Sequence, residues 1–181
     1  MKQLLRNRAV ATAVCVILVL LGIFMGVRGP FSDMKDDALV YFYGTEEEIG
    51  IKQDLADKVE TAYSLMSVAK RYISEDDSLV TDLTDACVKV QDAEDPLQAY
   101  EANLEMDECY YALRDKLASV KLTEKDSGYN ASLLADYQSS DMIISHSEYN
   151  VIAEKINEEM SEFPANILTK IAFVEKMVLF R

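Results

Sequence analysis

The chain has 181 residues, half of them apolar, with a formal net charge of −14 and three cysteines. The negative charge argues against nucleic acid as a partner, because phosphates would be repelled. One cysteine lies in the first 27 residues, and the two that remain are too few for a disulfide-framed fold. Few prolines and glycines among many helix-forming residues predict an all-α protein.

Residues 9–27 form an apolar run without a charged side chain, bounded by Arg8 and Arg28. As a helix this run spans about 28 Å, close to the thickness of a bilayer's hydrocarbon core. It is longer than the core of a signal peptide, and no A-x-A-like cleavage site follows it. The pattern therefore favours a retained transmembrane helix over a cleaved signal, with the membrane as a partner of residues 9–27.

The basic residues before this run indicate its orientation. Lys2, Arg6 and Arg8 precede it, so the positive-inside rule places residues 1–8 in the cytoplasm and the rest outside, as a single-pass protein of the cell membrane. Residues 28–181 hold 15 basic and 32 acidic residues, a net charge of −17. That charge disfavours lying flat on an anionic membrane and is typical of a solvated surface, with an acidic ligand site as the alternative.

Residues 28–48 are interpreted as a juxtamembrane segment. Within it, residues 39–43 form a short apolar cluster that suits either a strand or the end of a helix. Its aromatic side chains would lie in the membrane interface or pack on the following domain. Thr45 and Glu48 match a capping box, which predicts that the next helix opens there.

Residues 49–181 carry apolar stripes with steps of three and four, the spacing of amphipathic helices. The stripes predict helices over about 46–73, 79–93, 96–120 and 130–162, which satisfy each other as an antiparallel bundle of four long helices. Asp95, Pro96 and Gln98 form a three-part helix start signal. The polar residues 123–128 predict a loop or a helix break.

Pro164 is expected to end the last long helix near Glu162, because proline disfavours helical backbone at the residue before it. Residues 166–180 then form a very apolar tail. We expect a short helix there, with its apolar side covered by the bundle, by a partner or by the membrane surface.

Three segments of the C-terminal half resemble the signature of the LemA family: Tyr149-Asn150, Ile156-Asn157 and the run from Phe163 to Leu168. A further match is the segment Ala62–Tyr72. Members of that family have an N-terminal membrane anchor followed by a helical bundle, so the resemblance implies a fold and a location, without an established enzymatic activity. The signature residues that it transfers to this chain are Tyr149, Asn150, Asn157, Phe163, Pro164 and Asn166.

The chain departs from the family pattern at two places. Residues 145–148 read Ser-His-Ser-Glu where members often have an arginine pair, and residues 171–174 lack the glycine found after Phe-Pro. Asn150 and Asn157 are seven residues apart, hence on one helix face. We interpret them as structural residues that bond across helices and set their register, in preference to a ligand site.

The sequence contains no nucleophile elbow, phosphate loop, zinc motif or calcium loop, so no catalytic residue, cofactor or metal ligand is predicted. The single histidine, His146, suits a surface or capping position. Cys87 and Cys109 fall on apolar helix faces, which favours free buried thiols over a disulfide.

Two functions from different classes remain. The first is a membrane-tethered scaffold or interaction module, without catalysis, whose partner is a membrane protein or an extracytoplasmic protein. The alternative is an extracytoplasmic sensor or small-ligand-binding bundle. Because residues 1–8 are too short for an output domain, such a sensor would signal through a partner membrane protein. An enzyme ranks third.

Overall fold

The structure is a computed structural model that describes residues 8–46 and 48–181; of the predicted cytoplasmic N-terminus, residues 1–7 lie outside the described part. Across these ranges the chain forms α-helices and no β-strand, which confirms the all-α prediction. The helices are α1 (Arg8–Tyr43), α2 (Ile51–Ala69), α3 (Ser78–Asp92), α4 (Pro96–Ala118), α5 (Glu124–Ser145), α6 (Glu148–Glu159) and α7 (Ala165–Ile171).

Helix α1 continues through Pro30 and is 36 residues long. It is long and apolar enough to cross a membrane, and none of its most apolar 18-residue stretch is buried. The predicted span 9–27 forms its first half, and the segment after the span continues as helix. The cluster at residues 39–43 is therefore the end of a helix and not a strand, with Phe42 fully buried.

The chain folds into two compact units. The bundle unit comprises Leu39–Val151 with Val178–Arg181, and the terminal unit comprises Ile152–Met177 with the N-terminal chain up to Ala38. In the terminal unit, Ala38, Ile156 and Met160 form a buried apolar cluster. The partly buried side chains packed against that cluster are Phe31, Met34, Ile152, Val174 and Met177.

The bundle unit is built on α2, which packs against α3, α4 and α5, while α3 packs along α4. Short connections between these helices make neighbours antiparallel, and their apolar stripes face each other, as predicted. The core includes Val59, Ala62, Leu65, Leu83, Ala86, Met106, Tyr110, Leu113, Leu117 and Tyr137.

The helix starts follow local capping chemistry. The Asp95 carboxylate accepts hydrogen bonds from the backbone N–H groups of Leu97 and Gln98, both at 2.9 Å, at the start that the sequence predicts. The prediction for residues 123–128 is wrong, because Thr123 caps α5 by accepting from the Asp126 N–H at 3.2 Å. The helix therefore begins at Glu124 and runs through Gly128.

The capping box at Thr45 and Glu48 closes a local turn instead of opening a helix. The Glu48 N–H donates to the Thr45 hydroxyl at 3.0 Å, and the Thr45 N–H donates to the Glu48 carbonyl at 2.8 Å. Helix α2 starts three residues later, with Gly50 as its N-cap. A Cβ atom on Gly50 would lie 2.3 Å from the Gly44 nitrogen, so this close approach of two backbones requires glycine.

The predicted helix over 130–162 is also wrong, because the chain breaks between α5 and α6. The Asn150 amide donates to the carbonyls of Ile144 at 2.8 Å and Ser145 at 3.1 Å. Those carbonyls belong to the last turn of α5, whose acceptors have no partner within the helix. The side chain thus supplies the donors that end one helix and fix the start of the next.

In the C-terminal part of the chain the predicted short helix is present, but the end of the preceding helix and the covering of the tail differ from the prediction. Helix α6 ends at Glu159, before the expected Glu162, and α7 is the predicted short helix. After Phe173 the chain has no regular secondary structure up to Arg181. Phe180 is buried, whereas Ile167 and Phe173 are exposed, so the tail's apolar side chains are not covered throughout.

Candidate functional site

Two of the signature residues hold the end of the tail inside the bundle unit. The Asn150 amide donates to the Phe180 carbonyl at 2.7 Å, and the Phe180 N–H donates back to the Asn150 side-chain oxygen at 2.9 Å. The buried Tyr149 hydroxyl donates to the Val178 carbonyl at 3.2 Å. The Phe180 ring packs with those of Phe42 and Tyr149, with centroids 6.1 and 5.9 Å away.

In the terminal unit Asn157 makes the same kind of contact with a second point of the tail. Its amide donates to the Met177 carbonyl at 2.8 Å, and the Met177 N–H donates to its oxygen at 2.7 Å. The expectation that the asparagines bond across helices is confirmed in part: Asn150 of α6 donates to carbonyls of α5, whereas the bonds of Asn157 go to the tail. Each pairs with tail backbone, because an Asn side chain presents a donor and an acceptor side by side, like a peptide group.

The remaining signature residues of the terminal unit are at the turn into α7. Phe163 is 81% exposed, the Phe163–Pro164 peptide bond is cis, and Pro164 directly precedes α7. The Asn166 N–H donates to the Glu162 carbonyl at 2.8 Å, while its buried side-chain oxygen has no partner within the described chain. These residues shape the turn into α7.

A polar cluster that sequence reasoning missed lies inside the bundle unit. The Lys58 side chain is fully buried, and its ammonium donates to the oxygens of Asn103 at 2.9 Å, Asp107 at 2.5 Å and Asp141. These contacts use all three N–H groups of the ammonium. One cation on α2 thus joins side chains from α4 and α5.

Two aromatic rings cover one side of this cluster. The Tyr137 hydroxyl donates to Asp107 at 2.8 Å, and the Lys58 nitrogen lies 4.5 Å from the centroid of the Tyr137 ring. On its other side that ring stacks on Tyr110 at 3.6 Å between centroids. The stacked rings exclude water from one side of the ammonium, which strengthens its interactions with the carboxylates.

Burial shifts the pKa values of the acidic groups in the cluster. Desolvation raises the pKa of the Asp107 carboxyl, and the adjacent Lys58 ammonium opposes that shift. Burial, followed by the nearby Asp107 charge, raises the pKa of Tyr137 well above its ordinary value. The phenol is therefore protonated at neutral pH and serves as a hydrogen-bond donor.

The cluster opens onto a cleft of about 250 Å³ in the bundle unit. The Asp141 side chain is 37% exposed, and it reaches the cleft together with Asp107. Apolar and polar side chains complete the walls, which include Tyr100, Asn103, Leu104, Ile144, Ser145, Phe180 and Arg181. A small concave space with apolar walls and a few convergent polar groups is the usual form of a small-molecule site.

A sequence signal for this cluster exists in the helical spacing. Lys58 is three residues after Leu55 and four before Ala62, on the apolar stripe of α2. Asp107 and Asp141 interrupt the stripes of α4 and α5 in the same way. A charged residue on the buried face of a helix is rare unless it is paired, so three such positions predict a buried ionic cluster.

The two cysteines after the apolar run are free thiols, as expected, but only Cys87 is buried and Cys109 is half-buried. Burial raises the pKa of Cys87 to about 12, so it is protonated at neutral pH. His146 is the exposed residue that ends α5, with its Nδ1 2.8 Å from the Met142 carbonyl. Among residues 8–46 and 48–181, no three His, Cys, Asp or Glu side chains are placed to hold a metal ion.

Comparison of the chain with protein-family models, with curated proteins and with solved structures finds no match. The LemA resemblance rests on the sequence segments given above. The fold and the buried cluster are therefore interpreted from their own geometry.

Proposed function

We propose that this chain is a LemA-type, membrane-anchored scaffold or protein-interaction module without a catalytic step. One observation carries the proposal: α1 is a single helix whose apolar half is unburied and whose last turns belong to the helical bundle unit. An unburied apolar stretch of this length is stable in a bilayer and costly in water. A helix anchored in this way keeps the bundle at a membrane.

The orientation that we propose has residues 1–8 in the cytoplasm and the bundle outside. The support is the excess of basic residues before the span. A topology reporter fused after Arg181 tests it. We expect a reporter that works only in the cytoplasm to be inactive and an exported reporter to be active. The reverse result would overturn the orientation but not the anchor.

Proximity labelling from the full-length chain tests the interaction module. The matched control is a chain that ends after α1, which has the same anchor and membrane but lacks the bundle. We expect one or a few membrane or extracytoplasmic proteins to be labelled only when the bundle is present. An identical set of labelled proteins from both chains would contradict the proposal.

A second candidate function is small-ligand binding, favoured by the cleft beside Lys58. A ligand there would meet the Asp141 carboxylate and the apolar walls, and a partner membrane protein would transmit the signal. A thermal-shift screen of the detergent-solubilised full chain tests this, since a ligand at 100 times its Kd stabilises by about 2.7 kcal/mol. We expect Asp141→Asn to abolish the shift, whereas Asp136→Asn, on the same helix but outside the cleft, should retain it.

A further inference from the structure

The terminal unit exposes an apolar surface around α7 that its own core does not use. Phe163 before the helix and Phe173 after it are 81% and 79% exposed, and Ile167 is half exposed. Ile167 and Ile171 are four residues apart and share one face. Thr169 and Ala172, by contrast, are buried. The helix is therefore packed on one side, and on the other it exposes Ile167 and Ile171 with Lys170 between them.

Phe173 is held in a backbone conformation that few residues other than glycine adopt. Its φ is +53°, the Val174 N–H donates to the Thr169 carbonyl at 2.9 Å, and the Phe173 N–H donates to the Lys170 carbonyl. This is the hydrogen-bond pattern of a Schellman motif, with Phe173 at the position that is usually glycine. The left-handed backbone is unfavourable for a residue that carries a Cβ atom, and the ring, which is 79% exposed, offsets little of that cost by packing.

The position of Phe173 relative to α1 is defined within the terminal unit. Phe173 and Val174 line a cavity of about 430 Å³ together with Arg28, Ser32 and Lys35 of α1. The Lys35 ammonium donates to the Glu175 carbonyl, which ties the tail to this part of α1. Arg28 is the first residue after the apolar run.

This position is the headgroup layer if α1 spans the membrane. The layer is about 5–8 Å thick on each side of the hydrocarbon core, or roughly three to five residues of helix. Arg28 and Ser32 fall within that distance of the end of the apolar run. An exposed aromatic side chain at this depth is in the place where membrane proteins concentrate aromatic rings.

We propose that Phe173 and the exposed side of α7 insert into the lipid interface of the same bilayer that α1 crosses. This inference rests on the proposed membrane span. Lipid is the occupant because Phe173 lines one cavity with Arg28 and Lys35, the cations that follow the apolar run of α1. The net charge of −17 after residue 27 opposes attraction to anionic lipids, so apolar contact with neutral lipid supplies the association.

The experiment uses the absence of tryptophan from this chain. A single Phe173→Trp substitution makes the only tryptophan emitter in the full-length protein, reconstituted in phosphatidylcholine vesicles. Nitroxide-labelled lipids report its depth by quenching. Ile167→Trp provides a second site on the same surface. Tyr129→Trp, a half-exposed aromatic position in the bundle unit, is the water-exposed control, and Leu18→Trp in the apolar run reports the span itself.

We expect Phe173→Trp and Ile167→Trp to show blue-shifted emission and strong quenching by lipids labelled near the headgroup, whereas Tyr129→Trp shows neither. Leu18→Trp should be quenched best by lipids labelled deep in the acyl chain. If Leu18→Trp is quenched but the tryptophans at positions 173 and 167 both emit as in water, α1 spans the membrane and the proposed insertion of α7 is wrong. Absence of quenching at Leu18→Trp would overturn the span, and the insertion with it.

Discussion

Asn150 pairs with the backbone of Phe180 through two hydrogen bonds, 2.7 and 2.9 Å long, as a neighbouring β-strand would. The same side chain donates to the last carbonyls of α5. It therefore ends one helix and fixes the C-terminal tail at the same point. Asn150 thus makes the expected bond between two helices and, in addition, pairs with the extended backbone of the tail.

The same kind of pairing occurs once in each compact unit. In the terminal unit the Asn157 side chain exchanges two hydrogen bonds with the Met177 backbone, as Asn150 does with Phe180 in the bundle unit.

Replacing Asn150 with alanine should destabilise the protein by about 2–4 kcal/mol, because the buried N–H and C=O groups of Phe180 lose their partners. Chemical denaturation of the full chain in detergent, followed by far-UV circular dichroism, measures this. The control is Val151→Ala on the same helix, where the side chain is exposed and the change should stay within about 0.5 kcal/mol. Equal stability of the two variants would show that the clamp is not needed.

Lys58→Met should cost about 3–5 kcal/mol, because Asp107 and Asp141 then lose the fully buried cation that holds the two carboxylates together. The same denaturation experiment measures it. Adding Asp107→Asn and Asp141→Asn should recover much of the loss, since the uncompensated charges are then removed.

The control for the buried cluster is the exposed pair of Lys89 and Glu105, whose charged atoms are 2.6 Å apart. Lys89→Met should change the stability by less than about 1 kcal/mol, as expected of a solvated ion pair. The interpretation of Lys58 as a buried structural cation fails if Lys58→Met costs no more than Lys89→Met.

The all-α bundle was predictable because its information is local. Apolar steps of three and four identify helices, and Asp95 with Pro96 identifies a helix start from adjacent residues. The break between α5 and α6 was not predictable in this way. It depends on where the Asn150 side chain points, and that depends on tail backbone 30 residues away. Pairing between a side chain and distant backbone leaves no periodic pattern.

The buried cluster was missed for a different reason. An apolar stripe is interrupted by a charged residue at Lys58, at Asp107 and at Asp141. Because the chain has many charged residues, these three can be interpreted as part of a solvated surface. Helical spacing was sufficient to place each residue on a buried face. Which of them meet in space depends on the register of α2, α4 and α5, which the spacing within one helix does not contain.

The stability of the protein should depend on Asp126 in a defined pH range. Tyr72 donates its hydroxyl to this carboxylate, Thr123 adds a hydrogen bond, and Arg71 lies 3.0 Å away, so the pKa of Asp126 is lowered in the folded state. The stabilisation is present above the ordinary aspartate pKa of about 4 and is lost as the pH falls through the lower folded-state value.

Asp126→Asn should therefore be less stable than the wild type at pH 7, and the two melting temperatures should approach each other as the pH falls below about 4. Thermal melts of the full chain in detergent at a series of pH values measure the difference. Glu124→Gln removes an exposed carboxylate from the same first turn of α5. Its melting temperature should differ less from that of the wild type, and the difference should change less with pH. If the difference in melting temperature between the wild type and Asp126→Asn stays the same at every pH, the carboxylate charge does not have this role.

Phe173 should prove dispensable for folding in detergent, because its ring is exposed while its backbone is strained. Phe173→Ala removes the ring and keeps the left-handed conformation, so we expect a change of less than about 0.5 kcal/mol. Phe173→Gly also removes the Cβ atom that makes the left-handed conformation unfavourable. Its free energy of unfolding should therefore be about 1 kcal/mol higher than that of Phe173→Ala. Chemical denaturation of the three full-length proteins measures both differences. If Phe173→Ala lowers the free energy of unfolding by more than about 1 kcal/mol, the ring packs within the protein. Contact with the lipid interface is then not needed to explain why an aromatic residue stands where glycine is usual.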